Sequence, residues 1–335
     1  MARYGSSSAF FLVAGYDFLA PKLKSLRFRI SSETEQTDGL GVGDNAEVHT
    51  PTNRQKSTLS QGQGFWDTTA LSNHEAMSAS TPSSPQSTPR VGCVGCMGNT
   101  VAAVFWGIAG TLTAEFAVLI ENAKLTKADV VHVLAGLIEP GQIVQPLAQK
   151  SADWNTKTLS TVVDYTTDPS QRTVDIVSAT KANPCVVTTS VPHNLSAGHI
   201  VLISGNSLTG TVINGERAVT VISPTTFSVA VNTSGSGGAG TGGSFVRANS
   251  LNGGSGYQQV TEMTGLTGYV GKLRDSADDS TYADLLPFAN VTAVLSEAER
   301  GQRVPVTGTV DRYVCHDGDV TGTGTVTVMS GLARG

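Results

Sequence analysis

Apolar and polar residues alternate in short runs along most of this chain, which is the period-two signature of strands with one buried face. Near the start, Leu26, Phe28 and Ile30 alternate with Arg27 and Arg29, so one face is apolar and the other basic. Residues 101–120 form a longer apolar stretch, but Gly107, Gly110, several Thr and Glu breaks and the lack of basic flanks predict buried sheet rather than a membrane span. Between 174 and 243 the runs VDIVSAT, CVVTTS, HIVLISG, RAVTVIS and FSVAVN are separated by turn residues and close in a Gly-rich tail, GSGGAGTGG, expected to be flexible. A self-contained group of this kind reads as an inserted small β-domain. The end of the chain predicts strands at 269–273, 291–295, 304–315 and 323–329, with a polar turn over 275–281.

Three segments depart from the alternation. From Lys127 to about Leu137 the spacing predicts a helix: Val130, Val133, Leu134, Leu137 and Ile138 share one helical face, Thr126 and Asp129 resemble a capping box, and Pro140 and Gly141 stop it. Residues 32–63 are polar and Gly-punctuated and read as a long loop, functional or mobile. Residues 71–90 are rich in Ser, Thr and Pro and read as a surface excursion or linker.

Composition agrees with a β-rich chain. The 335 residues suffice for one large or two ordinary domains, charged residues are 15%, aromatics 6%, and there are 37 glycines. The net charge of -5 argues against a protein that grips DNA phosphates, because that grip needs an excess of Lys and Arg. The apolar run 9–14 is shorter than the core of a secretory signal. Four cysteines are too few to staple a chain this long.

Chemical motifs are sparse. Cys93 and Cys96 have CxxC spacing, yet no second ligand pair completes a zinc site, and a structural or local disulfide pair is the plainer reading. Gly235, Gly237 and Gly240 match GxGxxG without a following helix to bind a pyrophosphate, which leaves a linker. Asp275, Asp278 and Asp279 lack the ligand spacing of a calcium loop. The six histidines form no i, i+4 pair, and Cys315 has only His316 beside it, on the opposite face of a strand. No cofactor, no metal and no enzymatic activity are expected.

Two segments carry a family likeness. The run KLRDSADDSTYADLLPFANVTAVLSEAERGQRVPVTGTVDRYVCHDGDVTGTGTVTVMSGLARG resembles the C-terminal part of major tail tube proteins of long-tailed, non-contractile bacteriophages. The segments VAGYDFLAPKLKSLRFRIS and TDGLGVGDNAEVHTPTNRQKSTLSQGQGFWD are similar to that family's early strand pair and long loop. Within the insert, the HNLSAGHIVLISG run followed by NGERAVTVISPTTFSV is similar to a small β-barrel module of phage structural proteins.

The resemblance implies a mainly β fold, a tail-tube-type sandwich or barrel with one flanking α-helix, formed by residues 1–173 and 244–335, with 174–243 as a surface insert. It implies hexameric rings stacked into a tube for DNA ejection, made in the host cytoplasm and located in the virion tail. The partners would be other copies of the chain, tape measure, tail terminator and distal tail proteins, and DNA in transit without tight binding. The loop at about 33–63 becomes the candidate inter-ring arm, with Asp38, Gly39, Gly41, Gly43, Asp44 and Arg54. Val306, Thr307, Thr309, Asp311, Arg312 and Tyr313 become the candidate ring-wall strand. The rival readings are another virion component, such as a decoration or fibre protein, and a β-rich adhesin.

Overall fold

A computed structural model describes residues 10–17, 25–36, 49–65, 89–95, 98–119, 127–134, 138–155, 160–167, 171–209 and 212–335. The fold is mainly β. The long strands belong to a 14-stranded sheet whose main path runs through residues 283–287, 254–276, 313–334, 138–150, 104–119, 90–95, 10–13 and 16–17. The ranges are Phe10–Val13 (β1), Tyr16–Asp17 (β2), Ser25–Gln36 (β3), His49–Phe65 (β4), Arg90–Gly95 (β5), Val104–Leu119 (β6), Lys127–Leu134 (β7), Ile138–Lys150 (β8) and Val162–Asp164 (β9). The C-terminal part adds Gly254–Ser276 (β17), Ala283–Pro287 (β18), Val291–Thr292 (β19), Gly301–Val306 (β20) and Tyr313–Arg334 (β21). Strand β6 places most of the apolar stretch in the sheet, with Phe105, Ile108 and Thr111 buried, and among the described residues no helix is long and apolar enough to cross a membrane.

The organising element is the antiparallel ribbon of β17 and β21, paired from Gly254–Arg334 to Ser276–Tyr313. It does not run straight. Register shifts cluster between Val260 and Gly268, and Gly265 and Gly322 take φ of 76° and 100°, values open to glycine but strained for other residues. The ribbon therefore folds back, and its two halves become facing layers. The hydroxyl of Tyr269 in the second half reaches Gln258 Oε1 in the first at 3.1 Å, although a straight strand would hold those residues roughly 35 Å apart.

One layer holds β20, the first half of β17, the last half of β21, and then β8, β6, β5 and β1. The other holds β18, β19, the second half of β17, the first half of β21 and β9. Between them lie two apolar clusters, one including Leu273, Leu286, Val314 and Leu332, the other including Trp154, Val260, Tyr269 and Val328. The first layer also curls into a half-barrel, enclosing Phe10, Leu12, Cys93, Phe105, Ile143, Tyr257 and Met329 on its other face. Gly107 is required there, because a Cβ would sit 2.3 Å from the Tyr257 ring.

The segment predicted as a helix is instead β7, paired with β4 on one side and β6 on the other. Ladder bonds to two neighbours outweigh a weak local helix preference, and Val130, Val131 and Val133 are β-branched residues suited to strands. Pro140 and Gly141, expected to stop that helix, lie inside β8. The α-helix of the described residues is α1, Glu297–Arg300, with a capping box between Ser296 and Glu299. The stretch read as a long loop is largely β3 and β4, an antiparallel ribbon registered from Ser25–Gly62 to Gln36–His49. Beyond Ile30 the residues of this ribbon are almost all polar, so no apolar alternation signals the strands there.

Residues 174–247 form a second sheet of Val174–Ala179 (β10), Cys185–Thr189 (β11), Ile200–Ser204 (β12), Gly215–Ser223 (β13), Thr226–Val229 (β14), Gly240–Thr241 (β15) and Ser244–Arg247 (β16). All five runs read from the sequence are strands here. The order β11-β14-β13-β12-β16-β10 closes through the β10–β11 pairing, so six strands make a barrel, and β15 adds to β10. The interior is one cluster built around Phe227, Phe245, Val187, Val201 and Ile203. The Gly-rich tail is part of this barrel rather than a loose linker. Gly240 pairs with Ala179, and a Cβ on it would lie 2.4 Å from Asn206 Oδ1.

Candidate functional site

The run VPVTGTVDRYV alternates as one strand should, but the structure divides it. Val306 ends β20, Tyr313 begins β21, and Gly308 between them takes φ of 89°, a turn that interrupts the ladder. Thr307 and Thr309 are exposed on this connector. Asp311, Arg312 and Tyr313 lead out of it into the place where the chain leaves the layered body for the barrel and returns. The six residues proposed as one ring-wall strand thus form a strand end, a turn and a joint.

At the joint, Arg312 Nε and Nη2 donate to the two carboxylate oxygens of Asp164 at 2.8 and 2.6 Å, and Nη1 donates to Glu216 Oε1 at 2.5 Å. Asp164 ends β9 in the body, while Glu216 lies on β13 of the barrel, so one guanidinium ties the two units. Its planar fork suits this bidentate arrangement, which a lysine cannot reproduce. Burial pushes the Asp164 carboxyl upward, but hydrogen bonds from Arg312 and Thr166 outweigh it and hold the group below the ordinary carboxylate value. Arg312 is raised in turn, chiefly by its hydrogen bond to Asp164. The Arg312 guanidinium lies 4.7 Å from the centroid of Tyr313, and that of Arg334 lies 3.9 Å from Tyr165.

Backbone contacts complete the joint. Val310 and Ser250 exchange N–H···O bonds of 2.8 and 3.0 Å, fixing the return crossing, and Ser250 Oγ donates to the carbonyl of Gly335 at 2.6 Å. Asp311 N–H donates to Asp275 Oδ2 at 2.9 Å. Sequence reading missed Asp164, Tyr165, Glu216 and Arg334. Arg312 and Asp164 are 148 positions apart, so no spacing rule joins them, and the local sign was only Asp164 capping its own turn through Thr166 N–H at 2.9 Å.

Other named residues fall elsewhere. Asp38, Gly39, Gly41, Gly43 and Asp44 lie outside the described residues, as do Cys96 and residues 71–88 of the excursion. Arg54 is on β4. Arg27 and Arg29 are exposed on β3, which pairs only with β4 among the described residues and so presents an open edge. Cys93 is a buried free thiol. Burial holds the Cys93 thiol far above its ordinary value and pushes that of Cys315 up to about 12, so neither supplies a thiolate. Cys315 and His316 do point to opposite faces: the sulfur lies 3.8 Å from Asp317 Oδ1, whereas the imidazole meets Tyr269. Asp278 caps the turn after β17, accepting from Ser280 and Thr281 N–H at 2.9 and 3.0 Å. Among the described residues no group of three or more His, Cys, Asp or Glu could hold a metal ion.

No protein-family model matches the chain, and no curated protein matches it. Among solved structures, it is similar to a chain from the virion of a native gene transfer agent particle, with 9% identity and a TM-score of 0.29, over 41% of this chain and 97% of that one. It is also similar to the Dit protein of SPP1, described as a paradigm of the hub adsorption apparatus in phages that infect Gram-positive hosts. There the identity is 9% and the TM-score 0.26, over 96% of this chain and 98% of that one. TM-scores this low transfer no function.

Proposed function

We propose that the chain is a non-enzymatic structural subunit of a phage-type tail, which assembles with its own copies into hexameric rings stacked as a tube for DNA passage. The likeness of its two terminal segments to tail tube proteins supports the class. The observation that carries the assembly is the free edge of β3. The strand is twelve residues long, about 40 Å at strand rise, and its second side has no ladder partner among the described residues and lies beside the exposed Arg27 and Arg29. A neighbouring subunit that adds a strand there pairs with that side, and closure of six such joins removes every edge. Ring stacking is a head-to-tail contact that propagates as a filament.

In this reading the tube's lumen carries Asp, Glu, Ser and Thr more than Lys or Arg, because fixed cations would hold the passing phosphates. The barrel of 174–247 stands outside the ring. Negative-stain microscopy of the purified full chain tests the proposal: rings or hollow filaments are expected, and a monomer at all concentrations overturns it. A basic lumen in an assembled structure would refute the duct. One observation favours the narrower alternative of a virion surface component: Val177, Val212 and Ile222 on the barrel are 53%, 50% and 57% exposed, which suits docking onto another protein. Decoration of a pre-formed particle without self-assembly would select that alternative.

A further inference from the structure

The interior between the two layers is not apolar throughout. Gln145 on β8, Ser330 on β21 and Gln258 on β17 are direct cross-strand partners in one row, and they are 2%, 0% and 0% exposed. The row divides the sandwich core into the two apolar clusters described above. From the facing layer come Tyr269 and His316, both 0% exposed.

The protein satisfies only part of this seam. Tyr269 Oη lies 3.1 Å from Gln258 Oε1 and 3.1 Å from His316 Nε2. Gln145 Nε2 donates to the adjacent Pro146 carbonyl at 2.8 Å. Gln145 Oε1, Ser330 Oγ, Gln258 Nε2 and His316 Nδ1 have no protein partner. Each buried polar atom left without a bond costs about 1–3 kcal/mol, and native interiors pair nearly all of them.

The unmet donors and acceptors are complementary. The single Tyr269 proton goes to the Gln258 carbonyl oxygen, so His316 Nε2–H donates to Tyr269 and Nδ1 is left as an acceptor. Gln258 Nε2 then has N–H groups to donate, Gln145 Oε1 has lone pairs to fill, and Ser330 Oγ can do either. The two amides do not bond to each other, and Ser330 stands between their strands, which are two spacings, roughly 10 Å, apart. At the other end the seam is shut at Gly271, where a Cβ would sit 2.2 Å from Gln258 Oε1 and 2.8 Å from His316 Nε2.

We propose that this seam is a resident water site, in which one water above Ser330 accepts from Gln258 Nε2, donates to Gln145 Oε1 and exchanges a bond with Ser330 Oγ. The ligand is water rather than a cation because the site presents amide donors as well as acceptors and its three ligands carry no charge. The bound water ties β8, β21 and β17 of the first layer, and Gln258 passes the constraint through Tyr269 to His316 in the second.

A crystal structure of the full chain at better than about 1.8 Å tests this, with a density peak expected about 2.7–3.2 Å from all three atoms. Water oxygen-17 relaxation dispersion on the wild type and on Ser330→Val reads the same site in solution. The valine fills the space, so the signal from long-lived internal water should fall by about one molecule. An empty site in the map, or Ser330 bonded directly to either amide, overturns the proposal. An unchanged dispersion amplitude in folded Ser330→Val also overturns it. Should the valine variant fail to fold, the wild-type map decides alone.

Discussion

The barrel of residues 174–247 and the layered body solve the edge problem of β-structure in opposite ways. The barrel closes six strands on themselves around a single apolar cluster, so its ladder is complete within about seventy contiguous residues. The body distributes its core over several clusters, sends β17 and β21 from one layer to the other through bulges, and pairs β3 on one side alone among the described residues. A closed ladder is self-sufficient; an open one is completed from outside. In the proposed assembly the smaller unit is the appendage and the larger one the repeating wall, with Arg312 as the charged clamp between them.

The sharpest way to break the comparison is to empty the barrel alone. Phe227→Ala removes a fully buried ring from its single cluster and should cost about 3–5 kcal/mol, seen as a separate low-temperature transition in calorimetry while the body's transition stays. One merged transition shifted as a whole would show that the two units are not independent.

Acid attacks the body instead. Burial lowers the pKa of His316 to about 3 and that of His132 to about 4, against 6.5 when exposed. The unfolded chain therefore binds more protons than the folded one as pH falls below 6.5. The stability is fully present above about 6.5 and is lost progressively toward pH 3, by up to roughly 4 kcal/mol from His316. A pH series of urea melts checks this, and His316→Gln should flatten the slope; an unchanged slope would remove His316 from the account.

Loosening the clamp comes next. Arg312→Ala leaves Asp164 and Glu216 unpaired and should cost about 2–3 kcal/mol, with small-angle scattering reporting a wider range of barrel positions. Unaltered scattering would mean that Ser250 and Val310 suffice. Gly107→Ala, which drives a methyl into Tyr257, should cost about 1–3 kcal/mol in the body and nothing in the barrel. The smallest effect on stability belongs to the edge. Arg27→Glu with Arg29→Glu should change unfolding by less than about 0.5 kcal/mol yet alter self-association measured by sedimentation. Identical sedimentation at every concentration would discard β3 as a contact.

Several features were legible from residue order. The five barrel strands, the buried sheet at β6 and the opposed faces of Cys315 and His316 follow from period-two alternation, a local rule. The helix expected over 127–137 failed because Val130, Val133 and Leu134 satisfy a helical face and a strand equally well, and only the ladders to β4 and β6 choose between them. The joint was half-visible: Arg312 and Tyr313 were singled out, but as parts of a wall, since nothing near them in the chain announces Asp164 or Glu216.

What the sequence determined by itself is the mainly β character, the compact insert and the scarcity of reactive groups, because each depends on neighbours within a few residues. Tertiary structure alone decided that β17 and β21 fold back into two layers, that one arginine spans body and barrel, and that a row of buried amides crosses the core. Those features are contacts between residues tens to hundreds of positions apart, formed only when the long strands bend at Gly265 and Gly322.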